Sequence, residues 1–157
     1  MPKKIDLSRV PKHIGSGYPA PFDAACTLRL RQKLGDAADL SDFGVNLLRL
    51  PPGTWSSQRH WHSHEDEFVF VLEGELVLVT SAGEELLRAG ECAGFKAGDR
   101  DGHHLQNRSQ QDALVLEVGS RKDGDDETDY PDLDLMLPRA GEFVHRDGAP
   151  YPKKISR

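Results

Sequence analysis

Three histidines at two-residue spacing, followed by a carboxylate, are the part of this sequence best suited to chemistry. The histidines are His60, His62 and His64, and the carboxylate is Glu67. In an extended strand residues i, i+2 and i+4 lie on one face, so the three imidazoles can point the same way. Imidazole nitrogens and carboxylate oxygens are ligands that zinc, iron, manganese and nickel accept. The segment therefore predicts a metal site on a β-strand, although a solvated strand could show the same pattern.

The flanking sequence predicts short strands that would hold these side chains. Residues 67–80 contain two apolar runs around a Glu-Gly turn at Gly74, which is typical of a β-hairpin. A second hairpin-like unit follows at 81–90, and 43–50 and 113–118 read as further strands. Many short strands between Gly and Asp turns favour an all-β sandwich or barrel over a parallel sheet.

Two motifs in this region resemble those of the cupin superfamily. The first motif of that family is His-x-His, three or four residues, Glu, six residues and Gly, which matches the residues His60, His62, Glu67 and Gly74. The second motif is represented by Gly90, Gly98, His103 and Asn107. It departs from the usual pattern in two ways, because Lys96 replaces a proline and four residues, not two, separate Gly98 from His103.

The resemblance implies a jelly-roll barrel of the double-stranded β-helix type that holds one divalent metal ion per chain: zinc, iron, manganese or nickel. The implied ligands are His60, His62, Glu67 and His103. Because of the longer gap in the second motif, His104 is kept as a reserve ligand. His64 lies outside the family spacing, so we expect it at the pocket rim or in solvent.

Strand parity adds expectations about neighbouring side chains. Gln58 shares the parity of His60 and His62, so we expect it to line the pocket. Arg59 has the opposite parity and should point out of the barrel. A phosphorylated substrate would need cations such as Arg49, Arg59, Lys96 or Arg100 to reach the pocket, and the orientation of Arg59 weakens that case.

Size and composition describe an ordinary globular chain. The 157 residues predict a single domain, 1–157, with a barrel core at about 43–119, an N-terminal arm at 1–24 and a C-terminal extension at 120–157. A net charge of −6 argues against a nucleic-acid partner. With no apolar stretch of membrane-helix length, and no apolar core of a signal peptide at the start, we expect no membrane partner and a cytoplasmic location.

The regions outside the barrel are expected to do little chemistry. Prolines and glycines in 1–24 predict an extended arm that covers sheet edges, on its own subunit or on a second copy, and a homodimer is the default expectation. The segment 34–42 should form a short helical turn or a loop. The acidic segment 121–134 lacks the glycine and glutamate spacing of a calcium loop, so we interpret it as solvated.

Three functions are compatible with these features. The first is a metal-dependent isomerase acting on a small carbohydrate-like molecule, with Glu67 or a free histidine as the proton-transferring group; some members of the resembled cupin subgroup are provisionally named sugar-phosphate isomerases. The second is a metal-dependent dioxygenase, which would need a redox metal. The third is a barrel that binds a small molecule without turnover. The sequence leaves all three open.

Overall fold

The computed structural model describes residues 4–122, 124–139 and 141–153. Strands dominate the described residues, and the helical elements are the turn α1 (Leu34–Ala37) and 3-10 turns at Leu7–Arg9 and Ala24–Cys26. In chain order the strands are β1 (Lys12–Ile14), β2 (Leu30–Lys33), β3 (Phe43–Leu50), β4 (Trp61–His62), β5 (Glu67–Glu73), β6 (Glu75–Thr80), β7 (Gly83–Arg88), β8 (Cys92–Phe95), β9 (His104–Gln106), β10 (Ala113–Ser120), β11 (Thr128–Tyr130) and β12 (Leu135–Leu137).

The strands form three antiparallel sheets. The largest has the order β1-β2-β3-β10-β5-β8, and the two smaller ones have the orders β12-β11-β4 and β7-β6-β9. Neighbours such as β3 and β10 are far apart in sequence, as expected where a chain winds back and forth between two facing sheets. The predicted all-β class and the predicted strand 43–50 are confirmed.

The main core lies between the six-stranded sheet and the sheet β7-β6-β9. The large sheet contributes buried residues at alternate positions of its central strands, and the small sheet contributes residues of β6 and β9. This cluster consists of Leu48, Leu50, Val69, Val71, Leu76, Leu78, Leu105, Ala113 and Val115. The alternation fixes which face of each strand points into the barrel, and therefore which polar side chains share that interior.

The predicted hairpin around Gly74 is wrong. Strand β5 pairs with β10 and β8, whereas β6 pairs with β7 and β9, so the two runs belong to different sheets. Gly74 adopts φ +75°, and a Cβ placed on it would lie 2.8 Å from the carbonyl oxygen of Asp112. The turn is thus a corner between sheets where glycine permits close backbone approach. The unit at 81–90 supplies a single strand, β7, which forms a hairpin with the preceding strand β6.

Both terminal arms pack against the barrel. In the N-terminal arm β1 pairs with β2 and extends the large sheet, and the 3-10 turn at Leu7–Arg9 interrupts the predicted extended conformation. The C-terminal extension supplies β11 and β12, and β11 pairs with β4. The two arms meet in a second apolar cluster around Tyr18, Cys26, Tyr130 and Leu135. The homodimer stays a prediction.

The segment 34–42 behaves as predicted, with one helical turn at α1 followed by a loop. In the described part of the chain, the helices are too short and too polar to cross a membrane.

Candidate metal centre

The two motifs bring their candidate ligand residues to one point inside the barrel. A backbone bridge joins His60 to His103, with His60 N donating to His103 O at 3.2 Å and His103 N donating to His60 O at 2.9 Å. His62 lies two residues further along, in β4, and Glu67 begins β5. Alternation along the strand places His60 and His62 on the same side.

The carboxylate of Glu67 lies at the centre of the group. Its Oε2 atom is 2.7 Å from Nε2 of His103, 3.4 Å from Nε2 of His60 and 3.5 Å from Nε2 of His62. The ligand atoms of His60, His62 and Glu67 all lie within 4.8 Å of one another. Two imidazole nitrogens and one carboxylate oxygen therefore converge on a volume that could hold one metal ion, and His103 contacts the same carboxylate oxygen.

Hydrogen bonds on the far side of two imidazoles orient them for this purpose. Nδ1 of His60 is 2.8 Å from the carbonyl oxygen of Gln58, and Nδ1 of His62 is 2.6 Å from Oδ2 of Asp126. These oxygens can accept hydrogen bonds from Nδ1, which leaves Nε2 of each ring as the nitrogen that would bind a metal. The donor set and its orientation fit a divalent transition metal.

The electrostatics of the group keep the carboxylate ionised. Burial by itself raises the pKa of Glu67, but hydrogen bonds from His103 and His60 outweigh burial and hold that pKa well below its usual range. Burial lowers the pKa of His103, and the hydrogen bond to Glu67 opposes this only in part. An ionised carboxylate and a neutral imidazole are the protonation states in which these groups bind metals.

The structure separates the two adjacent histidines of the second motif. His104 faces away from Glu67: its Nδ1 is 2.9 Å from the carbonyl oxygen of Ser57, and its ring packs edge-on against Trp55. Burial lowers the pKa of His104 to about 4. The reserve role of His104 is therefore corrected, because its position on the opposite side of β9 keeps it from the group. His64 is exposed, as predicted.

The expectation for Gln58 also needs correction. Its side-chain amide donates to the carbonyl oxygen of Phe22 at 2.7 Å, which turns it toward the N-terminal arm and away from the residues lining the cavity. The chain between Gln58 and His60 lies outside a regular strand, so strand parity does not apply there. Gln58 instead acts on the site through its backbone, by accepting from His60.

A cavity of about 410 Å³ opens beside the candidate metal ligands. His60, His62 and Glu67 form part of its wall, and Glu117 and Tyr130 are among the other polar residues that line it. Burial raises the pKa of Tyr130 well above its ordinary value, so its hydroxyl stays protonated at neutral pH. A second cavity of about 360 Å³, lined by residues that include His62, Glu67 and His103, lies against the same group.

The cations considered for phosphate binding are placed differently from those that line the larger cavity. Arg59 forms a two-pronged ion pair with Asp132, at 2.7 and 2.8 Å. Arg49 pairs with Asp112 on the surface, and Arg100 lies over the ring of Trp61. These cations are absent from the wall of the larger cavity, and Lys96 lines the smaller one.

Sequence reasoning missed two groups of functional side chains. One is Asp126, read as part of a solvated acidic loop, and no local pattern connects it to His62. The other is a set of cations on β2 and its flank, Arg29, Arg31 and Lys33, which line the larger cavity. Their two-residue spacing is a visible signal that these side chains share one face of a strand.

Comparison with known proteins identifies the family. The model of the cupin domain family matches residues 46–119. A Silicibacter pomeroyi protein of known structure, described as a sugar phosphate isomerase from a cupin superfamily, is 45% identical to this chain. The two superpose with a TM-score of 0.89, covering 96% of this chain and 97% of the other. The chain belongs to the cupin superfamily. The double-stranded β-helix barrel predicted for this cupin is thereby confirmed.

Two further structures resemble this cupin. An Acidithiobacillus ferrooxidans protein, provisionally named a sugar phosphate isomerase, is 27% identical with a TM-score of 0.70, covering 81% of this cupin and 82% of that chain. The polyketide cyclase RemF from Streptomyces resistomycificus is 22% identical with a TM-score of 0.63, covering 78% and 81% respectively, and shows the shared fold alone. A search of curated proteins finds no match.

Proposed function

We propose that this cupin is a metal-dependent isomerase acting on a small carbohydrate-like molecule. The observation that carries the proposal is the convergence of three imidazoles on the Glu67 carboxylate at the wall of a polar cavity. The 45% identity to a protein described as a sugar phosphate isomerase supports the same conclusion. His60, His62, Glu67 and His103 would hold the metal, and the metal would polarise a substrate carbonyl when bound.

Isomerisation also needs a group that moves a proton between neighbouring carbons. Glu67 was the predicted catalytic residue, but its enclosure by imidazoles and its low pKa make it a poor base at neutral pH. We assign Glu67 to metal binding and the proton transfer to Glu117. The Glu117 carboxylate lines the cavity and accepts hydrogen bonds from Arg31 at 3.3 Å and Asn46 at 3.2 Å.

In this proposal Glu117 removes the proton from the hydroxyl-bearing carbon next to the substrate carbonyl and returns it to the former carbonyl carbon, while the hydroxyl proton passes to the former carbonyl oxygen. The bonds made and broken balance, so no further reactant is needed. Arg31 and Asn46 would hold the Glu117 carboxylate in one orientation toward the cavity. Tyr130 lines the same wall, and its protonated hydroxyl is hydrogen-bonded to that of Tyr18.

The first experiment is elemental analysis of the purified full-length protein, followed by incubation of the metal-loaded protein with aldoses, ketoses and their phosphates in D₂O. We expect about one equivalent of divalent metal per chain, and deuterium incorporated next to the carbonyl of one sugar. Glu117→Gln should keep the metal and lose the exchange, whereas the exposed control Glu73→Gln should keep both.

Three results would overturn the proposal. A protein that takes up no metal after supplementation would point to a barrel that binds a ligand without a metal. A metal-loaded protein that exchanges no deuterium with any sugar would not be an isomerase of this class. Iron or nickel with oxygen consumption and no isomerisation would replace the isomerase by a dioxygenase.

A further inference from the structure

Three cations occupy alternate positions in β2 and just before it, on the face that points into the barrel. They are Arg29, Arg31 and Lys33. The register pairs Arg31 with Leu48 and Lys33 with Asn46, and Leu48 is fully buried in the core. Paired residues of antiparallel strands lie on the same face, so Arg31 and Lys33 share the inner face with that core residue. Charged side chains at inward positions are uncommon unless they serve a function.

Arg29 precedes these two residues at the same spacing, and its role is structural. Its guanidinium donates to the carbonyl oxygen of Gly15 at 3.1 and 3.2 Å and to that of Ser56. With only 6% of its surface exposed, Arg29 ties the N-terminal arm to the loop that precedes the metal ligands. The cations available to a ligand are therefore those that follow it.

Arg31 has hydrogen-bonding capacity left over. One terminal nitrogen contacts Glu117 at 3.3 Å, and Nε is buried with no acceptor among the described residues. A buried donor without a partner is unfavourable, so an acceptor that reached the guanidinium would stabilise it. The planar fork of arginine suits the oxygens of a phosphate.

Two more cations are held together beside Arg31. Asp36, which follows β2 in α1, forms ion pairs with both Lys33 and Arg121, the former at 3.9 Å. Lys33 and Arg121 line the cavity, whereas Asp36 does not. The Asp36 carboxylate thus holds Lys33 and Arg121 near each other from outside the cavity. This arrangement orients the remaining N–H donors of the two side chains.

The charge of this cavity contrasts with that of the whole chain. The chain has a net charge of −6. Among the described lining residues, however, four cations (Arg29, Arg31, Lys33 and Arg121) face three carboxylates (Glu65, Glu67 and Glu117). A bound divalent metal would add further positive charge to this wall. An excess of cations over carboxylates in the wall of a cavity, within an acidic protein, favours anionic ligands.

We propose that Arg31, Lys33 and Arg121 form a subsite for the phosphate group of the substrate. Several cations around one point favour a dianionic phosphate over a singly charged carboxylate. The subsite deepens the proposed function and rests on it for the substrate class, a phosphorylated sugar. The sugar would lie between this subsite and the residues that hold the metal.

The test is calorimetric titration of inorganic phosphate into the full-length, metal-loaded protein at constant ionic strength. In the double variant Arg31→Gln with Lys33→Gln, loss of charge-assisted contacts should weaken phosphate binding about ten-fold or more. Lys33→Gln alone, at an exposed side chain that the fold does not need, should give a smaller loss. The control Arg49→Gln removes an exposed cation on β3 and should leave the affinity unchanged.

Phosphate that binds the double variant as tightly as the native protein would overturn the subsite, since the metal or another surface would then be binding it. Absence of phosphate binding by the native protein would overturn it as well. So would a competition experiment in which acetate displaces phosphate as effectively as the dianion sulfate does. Turnover of neutral sugars with no phosphate binding would remove the subsite and leave the isomerase. Phosphate binding without deuterium exchange would leave the subsite and remove the isomerase.

Discussion

Asp126, in the C-terminal extension, accepts a hydrogen bond from His62, with 2.6 Å between Oδ2 and Nδ1. The other carboxylate oxygen accepts from the backbone N of His64 at 2.8 Å and from the Ser63 hydroxyl at 3.3 Å. One side chain thus fixes both an imidazole and the loop that follows it. The extension is part of the candidate metal centre, although the barrel motifs end before it.

Removal of this contact should weaken metal binding. Asp126→Ala leaves the His62 ring free to rotate, and we expect the metal dissociation constant to rise roughly 10- to 100-fold. The dissociation constant of Asp126→Asn, which retains an acceptor oxygen, should lie between those of the native protein and Asp126→Ala. Competition with a chelating dye measures the constants. The exposed neighbour Asp125 provides the control Asp125→Ala, and an equal effect of both alanine variants would contradict a specific role for Asp126.

The ligands themselves can be tested by their combined removal. His62→Ala with Glu67→Ala should reduce the metal content from about one equivalent to a small fraction, because half of the donor set is lost. The barrel should stay folded, since neither side chain belongs to the apolar core. Elemental analysis and circular dichroism check the two parts. His64→Ala, at an exposed imidazole, should retain its metal, and undiminished metal in the double variant would place the site elsewhere.

His104 should make stability depend on pH. Its folded pKa of about 4 lies below the ordinary value of 6.5, so the unfolded chain binds more protons between these values. Stability therefore falls as the pH drops from about 6.5 to about 4, by about 3 kcal/mol from this group. Urea unfolding of the native protein and of His104→Gln across that range measures the difference. Parallel stability curves for the two proteins would contradict this assignment.

The corner at Gly74 should tolerate no side chain. Gly74→Ala adds strain at φ +75° and brings Cβ to 2.8 Å from the Asp112 carbonyl oxygen, so we expect a loss of more than about 2 kcal/mol in the free energy of unfolding. Gly53 has φ +78° with open space around it, and Gly53→Ala should cost about 1 kcal/mol. Chemical denaturation measures both losses. Equal losses for Gly74→Ala and Gly53→Ala would show that the close approach to Asp112 adds nothing to the destabilisation.

Local patterns in the sequence determined the all-β class, the strand at 43–50 and the common face of His60 and His62, and the resemblance to cupin motifs added Glu67. These features depend on residues close together in the chain, where the two-residue period of a strand decides which side chains share a face. The same patterns failed at Gly74, because a turn sequence does not reveal whether the next run pairs with its predecessor or crosses to the facing sheet.

Only the tertiary structure decided the features that depend on pairing between distant segments. The bridge between His60 and His103 turns His104 away from the group, and the β4–β11 pairing brings Asp126 to His62. The register of β2 against β3 places Arg31 and Lys33 on the face that points into the barrel. Register between remote strands is set by packing of the whole core, and a single sequence carries no local record of it.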